Sequence, residues 1–374
     1  MTGPLWDDGQ WSGLPRLEED VTADVCVVGL GGSGLTAVHE LRARGASVVG
    51  IDAGTVGCGA AGRNGGFLLA GPALPYHRQR NPLLYRQTLE ELDRMEAAGF
   101  LRRTGSLRIE RSAEGLADCD AHARALREDG FTVHDYSGPE GTGLLFPRDG
   151  VCHPLARCRM LATGPGLFES TPALSVATGL VETPRGRVSC EHVLVLVDGR
   201  LEQLLPEVPV RTVRLQMLGT SAVPQRFSRP VYLRDGYEYW QQLPDGRLVL
   251  GGFRDLGGQE EETTSTETSA TVQGALEELL ARVAPGAVVT HRWAASVGYT
   301  QDALPYLGEV RQGVWAAGGY CGTGNVIGAL CARQLVTNVL GGPTFMAEGG
   351  GGVTWAGGGR RRRGGRSRRW RRCS

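Results

Sequence analysis

Three glycines and one acid are spaced as a nucleotide-binding site requires. Gly29, Gly31 and Gly34 form a G-x-G-x-x-G pattern, and Asp52 lies 23 positions after the first glycine. Backbone without a Cβ lets a pyrophosphate come close, and the N–H groups of a helix N-terminus bind its charge. A carboxylate placed like Asp52 accepts hydrogen bonds from a ribose diol and disfavours a 2′-phosphate. The pattern therefore predicts an ADP-containing cofactor, FAD or NAD rather than NADP.

The elements around this pattern have the order of a βαβ unit. An apolar run, Val25 to Val28, predicts a buried strand, and a helical pattern follows the glycines up to Gly45. A second β-branched run, Val48 to Ile51, ends at Asp52. An ordinary glycine-rich turn would not need both strands, the helix and the acid in register. The same site is expected to include Gly32, Ser33 and Ala53.

Two further glycine-rich stretches indicate more backbone pressed against a ligand. Six of the fourteen residues from Gly54 to Phe67 are glycine, and this stretch also carries Arg63 and Asn64. Near the other end of the chain, a strand runs into the turn Gly318 to Asn325, and a helix continues to Leu340. The first stretch lacks the serines of a flexible linker. Glycine beside a nucleotide-binding unit favours close approach of a ligand.

Composition excludes several classes of protein. All forty basic residues are arginine, which excludes a pyridoxal-phosphate Schiff base and a P-loop lysine. Without the nine arginines that follow Gly349, the body is acidic, which disfavours nucleic acid as its partner. The nine cysteines form no C-x-x-C pair and no zinc-like cluster with histidine. Since there is no signal peptide and no apolar run long enough to cross a membrane, we expect a reduced, cytoplasmic protein without a membrane partner.

The middle of the chain carries mostly strand patterns. A helix is predicted over Ala113 to Glu128, and a hairpin over Tyr237 to Phe253. The polar run Gln259 to Ser269 predicts an exposed loop before an amphipathic helix. Patterns of the nucleotide-binding unit return after this antiparallel insertion. Residues 1–23 are expected to be an extended arm.

Together these motifs resemble the D-amino-acid-oxidase superfamily of FAD-dependent oxidoreductases, which includes glycine and sarcosine oxidases. The resemblance rests on the opening βαβ unit, Gly59 to Gly66, Tyr299 to Gly308 and Gly318 to Asn325. The G-R-N-G-G form of the second loop is most similar to the γ-glutamylputrescine oxidase branch. The resemblance implies an α/β fold, in which a Rossmann-type FAD-binding domain is interleaved with an antiparallel-sheet substrate domain.

The resemblance also implies domain boundaries. The FAD-binding domain would comprise residues 1–75, 150–205 and 290–345, and the substrate domain residues 76–149 and 206–289. Residues 346–374 are rich in glycine and arginine, and a disordered extension or the product of a shifted reading frame is expected there. An arginine-rich arm for RNA or membrane phosphates is the alternative.

Cofactor contacts are carried over onto matching positions. The ADP half of FAD would lie on Gly29, Gly31, Gly34 and Asp52, and the backbone of Ala173 would contact adenine. The pyrophosphate and the isoalloxazine would have beside them Arg63, Asn64, Gly65 and Gly66. The third loop would close on the flavin through Gly319, Tyr320, Gly322, Thr323, Gly324 and Asn325. A helix N-terminus there would stabilise the negative charge of reduced flavin.

Three departures from the family pattern affect function. Related amino-acid oxidases place a carboxylate-binding arginine where this chain has Val297, and losing that clamp should weaken α-amino-acid binding. Sarcosine-oxidase relatives tether FAD through a cysteine, and none stands near this segment, so non-covalent FAD is expected. Those relatives also activate oxygen with a lysine, which this chain lacks. Oxygen is therefore in doubt as the electron acceptor.

The leading hypothesis is an FAD-dependent oxidoreductase acting on CH–NH or CH–NH2 groups of a small amine or amino acid. Hydride transfer to flavin N5 would give an imine that hydrolyses. Tyr237, Tyr239 and Arg254 are the candidate substrate-site residues, although the tyrosines fit a structural core equally well. Arg254 and Arg292 are candidates to replace the missing clamp. His153 and His291 are expected to be structural.

Three rivals stay open from sequence alone. The first is an FAD-dependent dehydrogenase or biosynthetic tailoring enzyme with an acceptor other than oxygen. The second is a nucleotide-binding protein without redox activity. The third is an enzyme with NAD as sole cofactor, which would leave the second and third glycine-rich stretches without a use.

Overall fold

A computed structural model of the chain describes residues 3–342. The strands are β1 (Val21–Val28), β2 (Val48–Ile51), β3 (Phe67–Leu68), β4 (Ser106–Glu110), β5 (His134–Gly138), β6 (Gly141–Phe146), β7 (Gly150–Val151), β8 (Leu167–Phe168), β9 (Ser175–Ala177), β10 (Leu180–Thr183), β11 (Gly186–Val195), β12 (Arg211–Thr220), β13 (Val231–Leu233), β14 (Glu238–Gln242), β15 (Leu248–Gly252), β16 (Val289–Tyr299), β17 (Tyr306–Arg311) and β18 (Val314–Gly318). The helices are α1 (Gly32–Ala43), α2 (Ala60–Arg63), α3 (Pro82–Ala97), α4 (Ala113–Glu128), α5 (Pro154–Leu161), α6 (Leu201–Leu204), α7 (Arg254–Gly257), α8 (Ala270–Val283) and α9 (Ile327–Val339). The predicted tail, 346–374, lies outside the described residues.

The first sheet has the strand order β17-β18-β11-β1-β2-β8, and its central strands are parallel. Successive residues of β1 face opposite sides, as a strand requires. Val25 and Val27 pack under α1 and α9, whereas Cys26 and Val28 pack against α6 and the residues that follow it. Because both faces are covered, β1 is an almost continuous apolar run. The α/β class and the Rossmann-type arrangement predicted from the sequence are confirmed.

The second sheet has the order β16-β12-β15-β14-β13-β4-β6-β5 and is antiparallel except where β13 pairs with β4. One face packs on α8 through Leu276, Leu279 and Leu280. The other face looks toward the first sheet. The hairpin predicted over Tyr237 to Phe253 is formed by β14 and β15.

The structure corrects the boundary placed at residue 290. Strand β16 pairs along its length with β12 and so belongs to the second sheet. We therefore propose that the FAD-binding domain resumes after Tyr299, with the other predicted domain boundaries unchanged.

The segment Gln259 to Ser269 is not the wholly exposed loop that its composition predicts. Glu261 is buried and forms an ion pair with the buried Arg214 at 2.8 Å. Gln216 donates to Glu261 at 2.8 Å, and Ser269 is buried beside them. A buried arginine requires a counter-charge, and the polar loop supplies it.

The arm at residues 3–20 packs on the body before β1 begins at Val21. The indole of Trp6 is buried, and its Nε1 donates to the carbonyl of Asn64 at 2.8 Å. Trp11 Nε1 donates to Glu169 at 2.8 Å. Between residues 3 and 342, no helix has both the length and the apolar character that crossing a bilayer requires.

Candidate active site

One cavity of about 1010 Å³ lies between the carboxyl end of the first sheet and the open face of the second. This volume is at the upper end of the range for small-molecule sites. Ligands of open α/β sheets bind at this end of the strands. The predicted cofactor residues that line the cavity are Gly29, Gly31, Gly32, Ser33, Asp52, Ala53, Arg63, Asn64, Gly65, Ala173, Tyr320, Gly322, Thr323, Gly324 and Asn325. Gly34, Gly66 and Gly319 lie behind the lining.

The first glycine turn leaves the N-terminus of α1 open to the cavity. Gly29 has φ +104°, and a Cβ there would lie 2.7 Å from the carbonyl oxygen of Leu196. A Cβ on Gly34 would lie 1.8 Å from the carbonyl oxygen of Gly29, so this glycine serves the packing of helix on strand. Gly31 is the N-cap of α1 and offers no capping side chain. The first N–H groups of the helix are thus left for an anionic ligand.

Asp52 lies at the end of β2 and holds the turn around it. Its Oδ2 accepts from the backbone N–H of Leu30 at 2.7 Å, and its Oδ1 accepts from that of Gly54 at 2.9 Å. Burial raises the pKa of this carboxyl above its ordinary value. The Cys58 thiol also donates to Oδ1, at 3.9 Å. A carboxylate has about four lone-pair positions, so these bonds leave capacity for a ribose hydroxyl.

The second loop contributes an arginine without an acidic partner. Arg63 Nη1 donates to the carbonyl of Ala294 at 2.8 Å, and Trp293 Nε1 donates to the carbonyl of Arg63 at 2.7 Å. Burial lowers the pKa of this guanidinium. Arg63 forms no ion pair within residues 3–342, which leaves its charge available to a phosphate group.

The third loop is held by a residue that sequence reasoning missed. Asp198 follows β11, and its Oδ1 accepts from the N–H groups of Gly319 at 2.8 Å and Tyr320 at 3.3 Å. Its Oδ2 accepts from the N–H of Gly298 at 3.0 Å. Burial raises the pKa of Asp198 to about 6. The sequence does contain a sign of this role, because Asp198 is a single acid directly after the apolar run 193–197.

Arg254 lies between two tyrosine rings on the opposite wall. Its guanidinium carbon is 4.9 Å from the ring centroid of Tyr237 and 4.5 Å from that of Tyr299, and its Nη2 donates to the Tyr237 hydroxyl at 3.0 Å. Across the described chain it forms no ion pair. A stacked guanidinium without a counter-ion is well suited to bind an anion.

The tyrosines predicted at the substrate site both line the cavity. Tyr239 is in β14, and its ring lies 5.6 Å from that of Phe67 in an edge-on arrangement. Tyr237 lies in the turn just before β14 rather than within the strand. Trp240 faces the other side and is buried under α8, as the alternation of a strand requires.

The other sequence candidates lie elsewhere. Arg292 pairs with Glu277 at 2.7 Å, outside the cavity, and does not replace the missing clamp. Val297 does line the cavity but is apolar. His153 is the N-cap of α5, where its Nδ1 accepts from Ala156 N at 3.0 Å. His291 is hydrogen-bonded to Thr290 and is not part of the cavity lining.

These residues fit an elongated dinucleotide. Asp52, the open N-terminus of α1, Arg63 and the third loop all line this one cavity, together with Tyr239 and Val297 of the antiparallel sheet. Each part matches one chemical group: ribose diol, pyrophosphate and a ring that can carry negative charge. NAD would use only the first of the three loops.

The chain is similar in sequence to several known oxidoreductases. The family model described as DAO, FAD dependent oxidoreductase, matches residues 24–337. A probable oxidoreductase OrdL from Rhizobium meliloti is 27% identical, covering 88% of this chain and 86% of the relative. The gamma-glutamylputrescine oxidoreductase of Escherichia coli is 23% identical, covering 89% and 87%.

Solved structures show the same fold. Glycine oxidase from Geobacillus kaustophilus superposes with a TM-score of 0.75 at 21% identity, covering 86% of this chain and 96% of that one. L-proline dehydrogenase from P. horikoshii superposes with a TM-score of 0.69 at 17% identity, covering 87% and 94%.

Proposed function

Because the chain belongs to the DAO family of FAD dependent oxidoreductases, we propose that it oxidises the C–N bond of a small amine or amino acid. The family and the FAD cofactor expected from the sequence are both confirmed. The names of the relatives and structural neighbours support the substrate class, since glycine, proline and glutamylputrescine all contain an oxidisable nitrogen-bearing carbon.

The observation that carries the proposal is the position of Arg254. It shares one cavity with the three glycine-rich loops, on the opposite wall, and it is stacked between Tyr237 and Tyr299 without an acidic partner in the described part of the chain. Such an arginine binds a carboxylate by charge-assisted hydrogen bonds. It would replace the clamp that Val297 lacks and would hold the substrate against the wall formed by Tyr239.

Bound FAD supplies a two-electron acceptor that takes a hydride from the substrate carbon. The protein orients that carbon: Arg254 fixes the anionic end, and the aromatic wall of Tyr239 and Phe67 limits water. The turn from Gly322 to Asn325, which precedes α9, lines the cavity, and its backbone N–H groups would stabilise negative charge on a bound ring. A neutral amine that loses the hydride becomes an iminium, which gives its N–H proton to water to leave the imine. Water hydrolyses the imine after release.

The electron acceptor separates two forms of this proposal. The whole chain contains no lysine, so no lysine ammonium is available to stabilise reduced oxygen. A dehydrogenase or biosynthetic tailoring enzyme with a non-oxygen acceptor is therefore the second candidate, with the same cavity and the same substrate class.

The experiment is anaerobic mixing of the yellow holoprotein with a panel of amines, N-methyl amino acids, D-amino acids and a γ-glutamylated diamine. Loss of flavin absorbance with members of the panel supports the proposal. Admission of oxygen then distinguishes the two forms, because an oxidase recovers its colour quickly and forms peroxide. A protein that keeps its colour with every compound would instead be a redox-inactive nucleotide binder.

A further inference from the structure

The cavity continues past the Tyr239 wall into a compartment with aromatic walls. We call this compartment the distal chamber. The residues that define it are Tyr76, Tyr85, Phe146, Tyr232 and Asp149, all of which line the cavity. Aromatic faces attract organic cations, and a carboxylate among them adds charge. This composition differs from the glycine-rich end, where the open N-terminus of α1 and Arg63 suit an anion.

Asp149 is a buried carboxylate without a cationic partner. Its side chain is 2% exposed. Oδ1 accepts from the backbone N–H of Ala70 at 2.9 Å, and Oδ2 accepts from the hydroxyl of Ser106 at 2.7 Å. No arginine or histidine of the described chain forms an ion pair with it. Burial raises the pKa of Asp149 to about 7, and the lone pairs not used by these two bonds leave room for a further donor.

Two tyrosine hydroxyls in the chamber have no hydrogen-bond partner among residues 3–342. Tyr85 is 4% exposed, and its hydroxyl makes no hydrogen bond to any described residue. The hydroxyl of Tyr232 is likewise without a partner among residues 3–342. Burial and the nearby charge of Asp149 raise the pKa of both phenols, so each stays a neutral hydroxyl whose oxygen can accept from an ammonium.

The arginines near the chamber are already neutralised. Arg108 lies 2.7 Å from Asp118 and 2.8 Å from Asp235, and Arg78 lies 3.0 Å from Asp235. Burial and the charge of Arg108 lower the pKa of His122 to about 3, so it is neutral. Arg103, whose charge lowers the pKa of Asp149, is itself paired with Glu96 at 2.6 Å and with Asp93 at 3.0 Å. Asp149 therefore has no ion-pair partner of its own among residues 3–342, and a bound ammonium would favour its negative form.

The chain between Phe67 and Ala70 limits how far Asp149 can lie from the wall formed by Tyr239. Ala70, which donates to Asp149, comes three residues after Phe67, whose ring packs on Tyr239. An extended chain advances ~3.3 Å per residue, so Phe67 and Ala70 are at most roughly 10 Å apart.

We propose that the distal chamber binds a second ammonium group of the substrate, through Asp149, the Tyr85 and Tyr232 hydroxyls and the aromatic walls. The substrate is then an amine with a second cationic centre, several bonds away from the carbon that is oxidised. This inference rests on the proposed function and narrows its substrate class to amines and amino acids that carry a second ammonium group.

The test compares two molecules of equal length on the holoprotein. Octamethylenediamine and n-octylamine differ only in the second ammonium. Calorimetric titration of the oxidised holoprotein should show tighter binding of the diamine by about tenfold or more, because a charge-assisted hydrogen bond contributes at least that much. Asp149→Asn should remove this preference and leave n-octylamine binding unchanged. Equal binding of the two probes by wild type would overturn the proposal, as would equal weakening of both by Asp149→Asn.

Milder variants cover the case in which Asp149→Asn fails to fold. Tyr85→Phe and Tyr232→Phe each remove one hydroxyl and should weaken diamine binding several-fold without affecting n-octylamine. Tyr306→Phe, at a residue outside the cavity, is the matched control and should bind both probes as wild type does. If both chamber variants also retain full diamine binding, the chamber does not hold the ammonium.

The experiments give different results if the ammonium site is wrong and if the proposed function is wrong. Flavin reduction by amines without any diamine preference would overturn the chamber and leave the oxidoreductase. Diamine binding that depends on Asp149, with no flavin reduction by any amine, would overturn the oxidoreductase proposal while the ammonium site stands.

Discussion

The side-chain amides of Asn64 and Asn325 are paired with each other across 261 positions of sequence. Asn325 Nδ2 donates to Asn64 Oδ1 at 3.0 Å, and Asn64 Nδ2 donates to Asn325 Oδ1 at 3.3 Å. Asn64 also accepts from Gly66 N at 2.8 Å, and Asn325 donates to the carbonyl of Phe67 at 3.0 Å. The second and third glycine-rich loops are thus fixed to each other before any ligand binds.

Breaking this pair should weaken FAD binding. Asn325→Ala removes both bonds to Asn64 and the bond to Phe67, and the ordering of the loops must then come from the binding free energy of FAD. We expect the Kd of FAD to rise about tenfold or more, measured by fluorescence titration of the apoprotein. Gln225→Ala, at an exposed residue outside the cavity, is the control. An unchanged Kd in Asn325→Ala would show that the loops are held by other contacts.

Arg254 should affect binding of acidic substrates rather than the chemical step. Arg254→Gln removes the charge, and charged hydrogen bonds contribute about 1.5–3 kcal/mol, so KM for carboxylate-bearing amines should rise about 10- to 100-fold. KM for amines without an acidic group should change little. Stopped-flow flavin reduction over a substrate series measures both. The control is Arg292→Gln, whose ion pair with Glu277 lies outside the cavity. Equal loss for acidic and neutral amines would contradict the assigned role.

Asp149 should make stability depend on pH with a known sign. Its pKa is raised from 3.8 to about 7 in the folded protein, so between these values the folded state holds a proton that the unfolded state has lost. The stabilising contribution of this group is complete below pH about 4 and is lost as the pH rises toward about 7.

Asp149→Asn cannot titrate, so the Tm of wild type relative to this variant should fall as the pH rises through that window. The expected change in unfolding free energy is of the order of a few kcal/mol. Thermal unfolding with excess FAD at several pH values measures it. A constant difference in Tm across the window would mean that Asp149 does not titrate there.

Gly34 should tolerate no side chain, although it does not line the cavity. A Cβ at this position would lie 1.8 Å from the carbonyl oxygen of Gly29, so Gly34→Ala must displace α1 from β1. We expect a large loss in Tm and of retained flavin. In α8, a Cβ on Gly274 has no neighbour within 4 Å, and Gly274→Ala should stabilise the protein by about 0.4–1 kcal/mol. Similar Tm values for the two variants would contradict this packing argument.

The amino-acid sequence by itself determined the parts of the site that are made of backbone. The glycine spacing at 29, 31 and 34, the acid at 52 and the second and third loops are local patterns, because a tight turn or a helix N-terminus depends on consecutive residues. Those patterns were sufficient to predict the fold class, the family and FAD.

Only the tertiary structure showed which charged side chains face the cavity or hold its loops. Arg254 and Arg292 look alike in the sequence, yet only Arg254 faces the cavity. Asp198 accepts hydrogen bonds from the third loop, and Asp149 lines the distal chamber together with its tyrosines. Both arrangements exist only because segments far apart in the chain pack together. The reason is physical: burial and the presence or absence of a counter-ion decide what a charged group can do, and both depend on contacts between segments far apart in the chain.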